Sequence, residues 1–150
     1  MPAMTKVPTR SATHQDLDYA RLSSLGLDVE EIAKGDEVAL ADLVILAEDR
    51  GKPISHFLAA IPLATELRVK PEAALTVKVC AGSCQKWGAL DLLEHLASRW
   101  ETKHDISIAP VSCLDRCDQA AACELHGAHG VLVLAAATKR SLDEAIDALV

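Results

Sequence analysis

The stretch T-V-K-V-C-A-G-S-C-Q-K-W-G-A, Thr76–Ala89, decides how the second half of this 150-residue chain is read. Its β-branched opening predicts a strand over Thr76–Val79. Cys80 ends that strand, and a glycine-bearing loop, Ala81–Gly88, carries Cys84 toward a helix. In the helix Leu90, Leu93, Ala97 and Trp100 share one face. A second strand comes next at Ile106–Val111, and close behind it stands C-L-D-R-C, Cys113–Cys117. Two strands joined by a single helix should be parallel, through a right-handed crossover. Their carboxyl ends then leave the sheet on the same edge. Topology alone therefore brings four thiols together from two remote loops, in the pattern C-x3-C, 28 residues, C-x3-C.

Downstream, Ala121–Leu125 reads as a third strand and His126–Gly130 as a turn into the apolar run Val131–Ala137, the strongest strand signal of the chain. Ser141 with Glu144 predicts a capping box for a last helix, whose stripe is Leu142, Ala145, Ile146 and Leu149. The order is β-α-β-β-β-α over residues 75–150. Upstream the signal is helical. Residues 1–13 are polar with two prolines and predict a disordered tail, and 14–70 predict a helical region. There a short first helix ends at Gly26, Asp28 with Glu31 opens the next, and Glu37–Arg50 is the best helix, closed by Gly51. Pro53 suits a helix start, Pro62 should kink or break that helix, and 68–74 reads as a linker. The expected fold class is α/β, with a helical N-terminal region ahead of the β-α-β-β-β-α domain.

Composition narrows the function. Half the residues are apolar and mean hydropathy is +0.16, yet only four are aromatic, so the core is built from Leu, Val, Ile and Ala. The net charge of −7 is shared by both halves, with no basic stripe or stacking platform, which argues against nucleic acid as a partner. No apolar run is long enough for membrane insertion. Met1–Ala12 lacks the apolar segment of a signal peptide, which predicts a cytoplasmic product. All five cysteines lie between residues 80 and 123. In a reducing compartment, clustered cysteines more often hold a metal or do redox chemistry than form disulfides.

Four converging thiolates suit zinc or an iron–sulfur cluster. Zinc knuckles usually space their pairs C-x2-C, and the wider C-x3-C loops suit a larger object with two irons. Neither the plant-type C-x4-C-x2-C spacing nor the bacterial C-x2-C-x2-C run is present, and no Cys-x-His pattern points to Rieske ligation. A thioredoxin-type dithiol would want C-x2-C at a helix start. A zinc-stabilised four-cysteine interaction module and an iron–sulfur redox sensor are the competing readings.

The run strand, C-A-G-S-C-Q-K-W-G-A, helix, strand, C-L-D-R-C resembles the thioredoxin-like [2Fe-2S] ferredoxins. That family includes a small iron–sulfur subunit of NADH:quinone oxidoreductase and its relatives in NAD-linked hydrogenases and formate dehydrogenases. Gly88-Ala89 match the family's Gly-Ser/Ala after the first cysteine pair, and Cys113, Leu114 and Cys117 match its C-L-G-x-C. The first pair is one residue shorter than the C-x4-C usual in the respiratory members, and Asp115 stands where glycine is common. The resemblance covers residues 76–150. It implies a thioredoxin-like domain with a [2Fe-2S] cluster on Cys80, Cys84, Cys113 and Cys117. It also implies one-electron transfer as a small subunit or dedicated ferredoxin, partnered by a flavoprotein NAD(P)H-oxidising subunit or other redox protein.

The remaining residues carry plainer readings. Cys123 is a small buried hydrophobe of the third strand. His126 and His129 flank a turn and are solvated, and none of the six histidines forms a metal-protease arrangement. Trp87 covers the first cysteine loop. Lys78, Lys86 and Arg116 offset thiolate charge while Asp115 and Asp118 oppose it, and backbone N–H groups of Gly82 and of the helix start near Gly88 can point at sulfur. The acidic helices near 28–50 read as ordinary amphipathic surfaces able to dock a partner, and a homo- or hetero-oligomer is compatible with the chain. No nucleophile–base pair, phosphate loop or G-x-G-x-x-G is present, so no catalytic site of the chain's own is expected.

Overall fold

The computed structural model describes residues 17–82, 88–114 and 121–150. Among these it is a mixed α/β structure of five helices with a mixed four-stranded sheet and a two-stranded pair. No described helix is long and apolar enough to cross a membrane. The predicted tail, 1–13, lies outside the described residues.

Helix α1, Tyr19–Ile32, starts where Asp18 accepts the Arg21 N–H at 2.7 Å. It runs straight through Gly26, where a helix end is expected from the sequence. Gly26 is buried, and a Cβ there would stand 3.1 Å from both Ala64 Cβ and Thr65 Cγ2. The glycine therefore marks a close helix–helix approach, not a terminus. Asp28 and Glu31 are not a cap: Asp28 meets Arg50 at 3.3 Å, and Glu31 meets it at 3.7 Å.

The best predicted helix begins later than Glu37. Strand β1, Glu37–Val38, pairs in parallel with β2, Arg68–Val69, and Arg68 Nε donates to Glu37 Oε2 at 3.0 Å. Part of the expected linker is thus a strand. Helix α2, Leu40–Arg50, ends on Gly51 in the left-handed region, φ +66°. Helix α3, Ile54–Ala64, is buried on every side from Ile54 to Ile61 and continues two residues past Pro62. A proline this late loses one backbone bond without stopping the helix, and Thr65 ends it by donating both its N–H and its hydroxyl to Ile61 O. Helix α3 touches α1, α2 and the second half alike, so one apolar core runs from Leu17 to Ile146.

The second half follows the expected β-α-β-β-β-α order: β3 Thr76–Cys80, α4 Ala89–Lys103, β4 Ser107–Val111, β5 Cys123–Gly127, β6 Gly130–Leu134 and α5 Lys139–Leu149. The sheet order is β4-β3-β5-β6, with β3 and β4 parallel and the other neighbours antiparallel. Val77, Val79, Ile108, Cys123 and Leu125 fill one face of the sheet and are buried. Thr76, Lys78, Ala109, Val111, Glu124 and His126 lie on the other and stay partly exposed.

Two ends differ from expectation. Helix α5 is capped by Thr138, whose Oγ1 accepts the Ser141 N–H at 3.0 Å while Ser141 Oγ accepts the Thr138 N–H at 2.8 Å. Ser141 is therefore the inner member of the capping box, and Glu144 pairs with Arg140 at 3.3 Å instead. Just before it Ala136 sits at φ +48°, a conformation costing an L-residue about 1 kcal/mol or more. Ala136→Gly removes that strain but adds unfolded-state entropy, for a net gain of about 0.5 kcal/mol. A raised urea midpoint with unchanged slope checks it.

Candidate four-cysteine site

Parallel pairing of β3 with β4 sets the site. Cys80, the last residue of β3, lies in register with Val111, the last of β4. The ladder continues one step further, with Ala81 N–H donating to Val111 O at 2.7 Å. The two cysteine-bearing loops thus start side by side. Cys80 is buried, 2% exposed, with its Sγ 3.7 Å from Ser112 O, while Cys113 is exposed. One thiol faces the sheet edge and the other faces solvent.

Gly82 decides how closely the loops meet. A Cβ built there would overlap the Ser112 carbonyl oxygen, so only glycine permits this approach. Where the first loop returns, Gly88 takes φ +96° and heads α4 with no side-chain cap. The amide groups of the first turn of α4 therefore face the end of that loop. Asp91 is in the same turn.

Cys84 and Cys117 lie outside the described residues, as do Lys86, Trp87, Asp115, Arg116 and Asp118. Of the four predicted ligands, the structure describes Cys80 and Cys113, at the same sheet edge. Among the described residues no three His, Cys, Asp or Glu side chains form a metal-holding group. Lys78 stands on the same face as Cys80, two residues earlier, and opposite Glu124.

Cys123 is separated from this site by the sheet itself. It pairs with Val79, so its side chain shares the face of Val79, whereas Cys80, the next residue, projects from the other face. It is fully buried. The histidines lie elsewhere too. His126 is opposite Thr76, four residues and about 13 Å along the strand from Cys80, and its Nε2 is 2.9 Å from Glu124 Oε1. His129 is exposed in the turn at the far end of the sheet.

The sequence offers no sign of two features. Ser107 Oγ accepts the N–H groups of Glu72 and Ala73, each at 2.8 Å, which pins the connection entering β3 to the start of β4. Arg99, 8% exposed in α4, binds three aspartates, Asp105, Asp143 and Asp147. Polar residues at these positions do not reveal partners so distant in sequence. Comparison with known proteins adds nothing further: no family model and no curated protein matches the chain.

Proposed function

We propose that this chain is a thioredoxin-like [2Fe-2S] electron-transfer protein. In this reading it is the cytoplasmic small subunit or dedicated ferredoxin of an NAD(P)H-linked flavoprotein oxidoreductase. The observation that carries the reading is the parallel register Cys80↔Val111, which starts both C-x3-C loops at one sheet edge. Thiolates are the donors that iron–sulfur clusters and zinc favour, and Gly82 lets the start of the first loop approach the Ser112 carbonyl, where a side chain would not fit. Cys80, Cys84, Cys113 and Cys117 are the proposed ligands.

Bound there, a cluster supplies a one-electron carrier. The chain's own part is to hold it and set its surroundings. Buried Cys80, backed by Val79 and Ala81, keeps water from the inner side. Exposed Cys113 leaves the outer side open to a redox partner. Lys78 adds positive charge on the same sheet face, and the first turn of α4 adds N–H dipoles.

Anaerobic purification followed by iron and sulfide counts and a visible spectrum tests the proposal. The expected result is about two irons and two sulfides per chain. Cys113→Ser should bleach or shift the spectrum, and Cys123→Ser, on the far side of the sheet, should leave it unchanged. A colourless protein holding one zinc instead would establish the interaction-module reading. Reduction by a flavoprotein at a rate matching turnover separates a carrier from a sensor.

A further inference from the structure

Helices α2 and α4 both pack on α3 and leave a groove of about 530 Å³ between them, at the N-terminal end of α3. Its apolar wall is built by Val44 and Ala47 of α2 with Pro53 and Ile54 at the entry to α3. Its rim is acidic. Glu48 stands on the α2 side and Glu94 and Glu101 on the α4 side, against Lys52 alone.

The rim carboxylates are not spent within the chain. Glu48 and Glu101 are exposed, and among the described residues neither has an ion-pair partner. Arg50, two residues from Glu48, turns to Asp28, Glu31 and Asp49 instead. Glu94 is held in place from below: its Oε1 accepts the Ser55 N–H at 2.8 Å. That amide lies in the first turn of α3, where Pro53 supplies no side-chain cap. Glu94 and Glu101 are two helical turns apart and line the same groove, so about 10 Å of α4 separates them.

We propose that this groove receives a basic amphipathic segment of a partner protein: a helix with lysine or arginine two turns apart and apolar residues between them. Charge sets the partner's chemistry. Unpaired carboxylates attract cations, and a second copy of this chain, itself at −7, is repelled. The two-turn spacing matches Glu94 and Glu101, and Glu48 faces the same segment from the opposite wall. Apolar side chains between the cations then rest on Val44 and Ala47. The rim steers the encounter and the apolar wall holds what arrives. This inference does not depend on the metal reading.

The probe is a short fluorescein-labelled helical peptide of leucine, alanine and lysine with its lysines two turns apart, titrated against the full chain by fluorescence anisotropy. Saturable binding below about 100 µM is expected, weakening as salt is raised. The double variant Glu48→Lys with Glu101→Lys should bind about tenfold more weakly. Both sites are exposed and near helix C-termini, where lysine is tolerated, so far-UV circular dichroism should not change. Glu30→Lys with Glu66→Lys makes the same charge change at exposed positions outside the groove and should bind as wild type does. A peptide with serine for every leucine should also bind about tenfold more weakly, because it forfeits the apolar wall. In amide NMR spectra the shifts should gather at Ala47, Gly51, Ile54 and Glu101. Absence of binding overturns the proposal. So does equal weakening in the two double variants, or serine peptide binding as tightly as leucine peptide, since either reduces the effect to diffuse charge.

Discussion

If the four cysteines hold a metal as proposed, Gly82→Ala is expected to strip the site of most of it while leaving the fold intact. A methyl group at residue 82 overlaps the Ser112 carbonyl oxygen, and that atom is backbone, so no side-chain rotation relieves the clash. The ends of β3 and β4 must separate, carrying Cys80 away from Cys113. Overpacking of this kind costs about 2 kcal/mol, a loss of several degrees in melting temperature. The effect on ligation is larger, because a shared ligand set depends on the spacing of both loops. After identical reconstitution, iron per chain should fall by more than half in Gly82→Ala. Gly35→Ala is the control: it strains a residue at φ +69° with open space around it, far from the cysteines, and should keep full iron. Full iron in Gly82→Ala would show that the loops do not need this contact. The loss of stability is expected whichever metal the site holds.

Arg99→Met should be strongly destabilising while sparing the site. The Arg99 side chain is 7% exposed, and its guanidinium reaches Asp105 at 2.8 Å, Asp143 at 3.3 Å and Asp147 at 2.7 Å. His95 Nε2 meets the other oxygen of Asp143 at 2.8 Å. The cluster ties α4 to α5 and to the turn before β4. Methionine keeps most of the stem but leaves the carboxylates crowded together without their cation. Removing one partner of a buried ion pair costs about 3 kcal/mol, the lower part of the usual range, because Asp143 and Asp147 reach water. That corresponds to a melting temperature lower by roughly 10 °C.

The same cluster has a pH signature. The hydrogen bond from Arg99, with its charge, holds the Asp147 carboxyl below the usual range. A carboxyl depressed in the folded state stabilises above its unfolded pKa, near 3.9, and that contribution fades as pH falls through the lower folded value. Arg99 is shifted up, first by its hydrogen bond to Asp105, and stays charged throughout. In the variant Asp147 loses the larger causes of its depression and keeps only the charge of Lys103. The stability gap between wild type and Arg99→Met should therefore be widest near neutrality and narrow below about pH 4. Urea midpoints at neutral and acidic pH check the sign, and a gap that stays constant on acidification would rule the cluster out as its source.

These residues also mark the limits of sequence reading. The parallel pairing of the two cysteine-bearing strands was legible because a strand–helix–strand unit has few ways to close, and β3 and β4 are indeed parallel with Cys80 against Val111. The face of Cys123 was not legible, since it depends on the antiparallel register Val79↔Cys123, set by a partner strand more than 40 residues away. Gly26 misleads because a buried glycine in a helix and a glycine ending one are written with the same letter, and only Ala64 and Thr65 distinguish them. Strands β1 and β2 have two residues each, too short for any periodicity. At α5 both T-K-R-S and S-L-D-E offer cap spacing, and the structure selects the earlier.

The parallel pairing of β3 and β4 also governs the order of assembly. Where metal ligands sit a few residues apart, the ion can organise a short chain and its binding energy becomes folding energy. Here 28 residues separate the two cysteine pairs, and a whole crossover helix must pack before the second loop arrives beside the first. The entropy of closing that long loop is met by apolar burial under α3 and α4, not by ligation. On the proposed ligation, the scaffold is complete before the last ligand is in reach.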